Sequence, residues 1–150
     1  MSWLNHRTLV LHPDCESLRD FMLSVPERFD RGEGTVIHKG RNELRKMKYG
    51  EQEFVVKSFH RPNLINRFVY GIFRPSKAKR SYIHAGMFLE IGVGTPRPVG
   101  YINVRRGGLF DRSYYVTYVS PCPYTYEALF KQKFSYEDEV LSEVGRITGI

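Results

Sequence analysis

Three β-rich runs separated by tight turns occupy residues 35–59, and no other feature of the 150-residue sequence restricts the fold as much. Thr35-Val36-Ile37-His38-Lys39 ends at Gly40. Asn42 to Tyr49 sets Leu44 and Met47 among Arg45, Lys46 and Lys48. Tyr49-Gly50-Glu51-Gln52 reads as a turn, and Glu53 to Phe59 as a third strand. Side chains on a strand alternate between faces, and such short turns leave no room for a crossover, so the spacing predicts an antiparallel meander.

The period then changes. Asn63 to Phe73 is apolar and reads as a helix interrupted at Gly71. After Pro75 a clearer helix begins, capped by Ser76, with Ala78, Tyr82, Ala85 and Leu89 on one face and Gly92 at its end. Two more strands, Val99 to Val104 and Ser113 to Val119, flank the turn Arg106-Gly107-Gly108. Upstream, Leu18, Phe21, Met22 and Val25 give residues 14–24 a helical period, with Asp14 as the expected cap and Pro26 as the expected stop. Ser120-Pro121-Cys122-Pro123 reads as a hinge, with helices expected over residues 124–130 and 137–150. The element order predicts an α+β fold: a twisted, antiparallel, five-stranded sheet packed on one main helix. The expected parts are an N-terminal extension with a short helix (residues 1–33), the sheet domain (34–120), and a hinge with C-terminal helices (121–150).

With 41% hydrophobic and 26% charged residues, the chain has the make-up of a folded domain. At this length, about 68–70% of the extended surface is buried on folding. No run reaches the roughly 18 apolar residues of a spanning helix, and Met1 to Arg7 lacks a signal-peptide core. Two cysteines, Cys15 and Cys122, make no disulfide framework and fit a reducing cytosol. The expectation is a cytoplasmic protein rather than a secreted, coiled-coil or integral membrane one.

The net charge of +7 is concentrated. Residues 39–80 hold twelve Lys and Arg against three acids, Glu43, Glu51 and Glu53, whereas the rest of the chain has eleven basic and thirteen acidic residues. So local an excess suggests phosphates: a nucleotide, a nucleic acid or an anionic membrane surface. A solvated charged face has the same composition.

Two features carry candidate chemistry. In Phe54-Val55-Val56-Lys57-Ser58-Phe59, alternation puts Lys57 on one face with Val55 and Phe59. A lysine among apolar neighbours is placed to hold a fixed positive charge against a polyphosphate, although an edge-strand lysine facing solvent gives the same pattern. Lys77, Lys79 and Arg80 crowd the first turn of the Ser76 helix, where each cation typically costs about 0.3–1 kcal/mol against the helix dipole. A polyanion docking there would offset that cost. Gly32-Glu33-Gly34 lacks a third glycine, and the histidines and cysteines show no metal-ligand spacing. Tyr114, Tyr115 and Tyr118 could stack on bases, but tyrosines in a half-buried strand more often belong to the core.

Several segments together resemble the lipopolysaccharide core kinases, the heptose and 3-deoxy-octulosonate kinases related to protein kinases. They are Gly40-Arg41-Asn42, Val55 to Phe59, Arg61 to Asn66, Ser76 to Tyr82, Gly94-Thr95-Pro96-Arg97-Pro98-Val99 and Ser113-Tyr114-Tyr115. The resemblance covers residues 34–150 and implies a kinase-like amino-terminal lobe that binds ATP with Mg2+. Lys57 would hold the phosphates, as the lysine of the kinase V-A-I-K motif does. Gly40, Arg41 and Asn42 would stand where the glycine-rich loop stands, and Thr117, Tyr118 and Val119 would form the hinge to adenine. The implied acceptor is a sugar hydroxyl of the lipopolysaccharide core. The implied location is cytoplasmic, at the anionic inner face of the inner membrane, with Lys77, Lys79 and Arg80 as a phosphate or membrane patch.

Two departures qualify the implied activity. The region matching the family's helix glutamate reads Ser81-Tyr82-Ile83-His84, with no acid, and Glu90 comes one to two turns later. Downstream of Lys57 no His-x-Asp triplet occurs, so the catalytic residues are expected to be absent and the chain by itself inert. A lobe without its partner half would expose the cleft floor and self-associate through it. Two other classes remain open: a degenerate lobe that serves as an interaction module, and, less expected, a basic module binding single-stranded nucleic acid.

Overall fold

Gly50, at φ 62°, is the first residue of the two-residue loop joining a strand that ends at Tyr49 to one that begins at Gln52. That loop position needs a left-handed backbone, which glycine adopts without steric cost. Gly107 and Gly108, at φ 60° and 77°, do the same for the second hairpin. The hydrogen-bonded ladders on either side of these turns make up most of the fold.

The computed structural model describes residues 6–66, 69 and 74–120. The chain divides into two compact units, Met1–Val119 and Ser120–Ile150, and the description concerns the first. The elements are β1 (His6–Leu11), a 3-10 helix (Pro13–Leu18), α1 (Arg19–Asp30), β2 (Thr35–Lys39), β3 (Asn42–Tyr49), β4 (Gln52–Phe59), α2 (Lys77–Glu90), β5 (Pro98–Arg106) and β6 (Leu109–Tyr118). The hinge at Pro121 and the helices expected over 124–130 and 137–150 lie outside the described residues. Of the helix expected over 63–73, residues 64–66 and 69 are helical and the rest lie outside the description.

All neighbouring strands are antiparallel, in the order β1-β5-β6-β4-β3-β2. The fold is α+β, and the sheet has six strands where five were expected. The additional strand is β1, which pairs along β5 from His6↔Arg105 to Leu11↔Gly100. Residues 1–33, expected as an extension, thus contribute an edge strand and the helix that closes the core.

That core lies between α1 and one face of the sheet. Phe21, Met22, Val25 and Phe29 are buried against Met47, Phe54, Val56, Ile102, Tyr114 and Val116. Each such side chain is worth roughly 1.5–3 kcal/mol when fully buried. Phe21 stacks on Tyr49 at 4.9 Å and lies 5.0 Å from Phe54, and Phe29 sits 5.5 Å from Tyr114. Arg45 closes the far end of α1: its guanidinium donates to the Phe29 carbonyl at 3.0 Å and lies 4.1 Å over the Phe29 ring.

Pro26 does not stop this helix. It lies inside α1 with its ring buried. An interior proline costs about 3 kcal/mol or more in lost hydrogen bonding and steric clash, and here the cost is met by apolar contact with the core. The turn before α1 is a 3-10 helix capped by His12, whose ring accepts from the Asp14 amide at 3.3 Å, rather than a helix capped by Asp14.

On the opposite face lies α2. Its cap is as expected, with Ser76 Oγ accepting from the Lys79 amide at 3.1 Å. Ala78 is buried with Phe59 and Tyr101 in a second, smaller cluster, and Tyr82 packs on Tyr101 at 5.5 Å. Leu89, expected on this inner face, is exposed instead, and the buried residues of α2 are Ala78 and Ala85. The sheet is therefore covered by a helix on each face rather than by one.

Candidate functional site

Lys57 sits on β4, between Leu44 of β3 and Tyr115 of β6. Alternation turns Phe54 and Val56 towards α1, which leaves Val55, Lys57 and Phe59 on the α2 face. The solvent-facing edge placement is thus ruled out, since β4 is an inner strand and Lys57 is half-buried. Its Nζ lies 5.2 Å from the centre of the Phe59 ring. Burial, and then the charge of Lys77, holds the Lys57 ammonium below its ordinary range. Among the described residues no carboxylate pairs with Lys57. Phe54 to Leu89 contains no acid at all, and Glu90 closes α2 at its far end.

The other expected site residues are only partly brought together. Thr117 is buried and pairs with Val55, on the same face as Lys57. Tyr118 points the other way, into the α1 core, 5.3 Å from Phe54 and with its hydroxyl 3.6 Å from Cys15 Sγ. Val119 is exposed beyond it, beside an open cavity of about 400 Å³ that also reaches Lys48 and Glu53. Gly40, Arg41 and Asn42 form the β2–β3 turn, closed by the Gly40 amide donating to the Asn42 carbonyl at 3.1 Å. The His38 ring lies against Gly40, where a Cβ would stand 3.0 Å from Nε2. Asn42 pairs with Phe59, two residues past Lys57, so this turn lies at the far end of β4 from Thr117.

The three cations at the start of α2 divide. Lys79 and Arg80 are exposed, whereas Lys77 is half-buried and lines a cavity of about 280 Å³. Arg41 lines it as well, together with His60 and Arg61, over a floor that includes Phe59 and Phe110. Sequence reasoning passed over His60 and Arg61, because they fall in a connecting segment with no periodicity of its own.

It also passed over Asp111. This carboxylate is fully buried and forms ion pairs with Arg61, with Arg106 at 3.4 Å and with Arg112 at 3.4 Å. Arg112 in turn holds Asp30 of α1 at 2.6 Å. The only local signal was an acid flanked by Phe110 and Arg112 inside a strand, which says nothing of partners fifty or eighty residues away.

Tyr114 is fully buried against Phe29 and is not available to stack on a base. Burial pushes its hydroxyl up to about 12, and the oxygen has no hydrogen-bond partner among the described residues. A His-x-Asp triplet does occur between β1 and α1, as His12-Pro13-Asp14, but there it forms the cap of the 3-10 helix. No helix among the described residues is long and apolar enough to cross a membrane.

No family model, curated protein or solved structure matches this chain.

Proposed function

We propose that the sheet and its two helices form the nucleotide-binding lobe of an ATP-dependent phosphotransferase similar to the lipopolysaccharide core kinases. One observation carries this reading: Lys57 is a half-buried cation on an inner strand, with no carboxylate beside it among the described residues. Burying an ammonium without a counter-charge costs stability. A site that holds a cation at that cost is suited to an anion that arrives from solution, and a nucleotide's phosphates are such an anion.

The chain path around Lys57 supports the same reading. A lysine-bearing strand runs into a helix that covers the lysine's own face, and the chain then returns to the sheet through β5 and β6. The Gly40–Asn42 turn and Thr117 bracket Lys57 along the sheet, at positions suited to the phosphate end and the adenine end of a nucleotide. Mg2+ enters this reading as the companion of the nucleotide's phosphates. The acceptor in this reading is a sugar hydroxyl of the lipopolysaccharide core, reached from the cytoplasmic face of an anionic membrane. This chain alone is expected to bind nucleotide without transferring phosphate, because no acid in α2 reaches Lys57 and no His-x-Asp follows it.

Titrating Mg·ATP into the full chain tests the proposal. Saturable binding that weakens at least about tenfold in Lys57→Met is the expected result. Binding of equal strength in both proteins overturns it.

A second reading, a lobe that docks a partner, draws on Ile83 and Met87 of α2 and on Ile91 just past its end, which are 45%, 56% and 60% exposed. Under it, Lys57→Met leaves partner affinity unchanged while Met87→Glu removes it.

A further inference from the structure

The cavity at the start of α2 has a one-sided electrostatic character. Four side chains able to carry positive charge converge on it from three segments: Arg41 from the β2–β3 turn, His60 and Arg61 from the connection after β4, and Lys77 from the first turn of α2. Among the described residues no carboxylate lines it. Asp111 lies behind it, fully buried, and holds Arg61 by an ion pair, so that guanidinium is fixed in place at the cavity wall. Like charges gathered around a concave space repel one another, and low-dielectric walls strengthen that repulsion. The arrangement becomes favourable when an anion enters. Phe59 and Phe110 add an apolar floor, which suits the organic body of a ligand more than a bare inorganic ion. At about 280 Å³ the space is at the lower end of ligand pockets, so the ligand is small or only its head group enters.

We propose that this cavity is an anion site that takes the phosphate of an organic phosphomonoester, held by Arg41, Arg61 and Lys77. Lys57 does not line it; the Gly40–Asn42 turn that carries Arg41 also borders the nucleotide site proposed above, but the anion site stands whether or not Lys57 binds ATP. Arg41 and Lys77 come from different elements, so a phosphate held by both links the β2–β3 turn to α2. The same phosphate chemistry is offered by a soluble metabolite and by a lipid head group, and the probes below separate the two.

The test is calorimetric titration of the full chain with phenyl phosphate and co-sedimentation with phosphatidylcholine vesicles containing phosphatidate. Three proteins are compared: the unaltered chain, Arg41→Ala/Lys77→Ala, and Lys79→Ala/Arg80→Ala, which removes two exposed cations of the same helix turn outside the cavity. Both double variants keep Asp111 and Arg61, and far-UV circular dichroism with thermal melting verifies their folding. The expected result is phenyl phosphate binding that weakens about tenfold or more in Arg41→Ala/Lys77→Ala and stays nearly unchanged in Lys79→Ala/Arg80→Ala. Vesicle binding with the same variant dependence, displaced by phenyl phosphate, assigns the phosphate to a lipid head group. Phenyl phosphate binding without such vesicle binding assigns it to a soluble ligand. No phenyl phosphate binding, or equal loss in both double variants, overturns the site. Lys57→Met separates the two proposals, since it removes ATP binding and leaves phenyl phosphate binding in place.

Discussion

At the scale of single residues, two side chains are kept at a cost to stability, and each cost has a pH signature. Lys57 has its pKa lowered from the ordinary 10.5 by burial and by Lys77. Below its folded-state pKa the ammonium is charged in both states, and folding bears the full desolvation cost. As pH rises towards 10.5 the folded chain releases the proton first, and the cost disappears. Lys57→Met should therefore raise the melting temperature at pH 7 by roughly 2–4 °C, with the gain shrinking as pH approaches 10, as read by calorimetry across that range. Tyr114 has the opposite sign. Its hydroxyl is neutral in both states below pH 10, and stability is lost as pH climbs from there towards about 12. Tyr114→Phe removes a buried oxygen that has no partner among the described residues, so it should stabilise the chain by about 1 kcal/mol at pH 7 and flatten the alkaline loss, as measured by urea unfolding at both pH values. Lys57 was legible as a residue of interest because alternation alone puts it among Val55 and Phe59. Whether it has an acidic partner was not legible, because an acid from another strand could reach it even though none occurs between Phe54 and Leu89. Asp111 was not legible, because nothing in its own strand shows that it is buried or that Arg61, fifty residues away, joins Arg106 and Arg112 around it.

At the scale of elements, the locally encoded parts were readable and the parts held by distant contacts were not. The β2–β3–β4 meander, the Ser76 cap and the glycine turns follow from short-range stereochemistry, and the structure reproduces them. The extent of α1 was misread because Pro26 is a local stop signal. Burial of its ring, and of Phe21, Met22 and Phe29 on the same helix, outweighs that signal. Strand β1 was missed because its pairing partner, β5, lies about ninety residues away, and nothing in Arg7 to Leu11 announces a strand beyond three apolar residues. The structure makes this pairing testable. A Cβ on Gly100 would collide with the Val10 carbonyl, so only glycine lets β1 and β5 approach at that register. Gly100→Ala should cost about 1–3 kcal/mol and increase amide hydrogen exchange selectively along residues 6–11. Uniform destabilisation without that local signature would show that β1 is not an independent pairing unit.

At the scale of the whole molecule, the charge arithmetic pointed to phosphate, and the structure shows what it could not resolve. The excess of residues 39–80 does not form one patch: Lys57 lies on the α2 face of β4, with Lys46 on the same face of the neighbouring strand, Arg41, Arg61 and Lys77 line a cavity, and Lys79 and Arg80 face solvent. The nucleotide reading depends on the first of these, and its most direct test reads Lys57 itself. A lowered pKa leaves more of Lys57 as the free amine than of an ordinary lysine at the same pH, so acylation reads it, and peptide mass spectrometry separates it from Lys79. If a nucleotide's phosphates sit on Lys57, millimolar Mg·ATP should slow acylation of Lys57 at least about fivefold while Lys79 reacts at its original rate. Acylation of Lys57 at an undiminished rate in the presence of Mg·ATP would contradict the account.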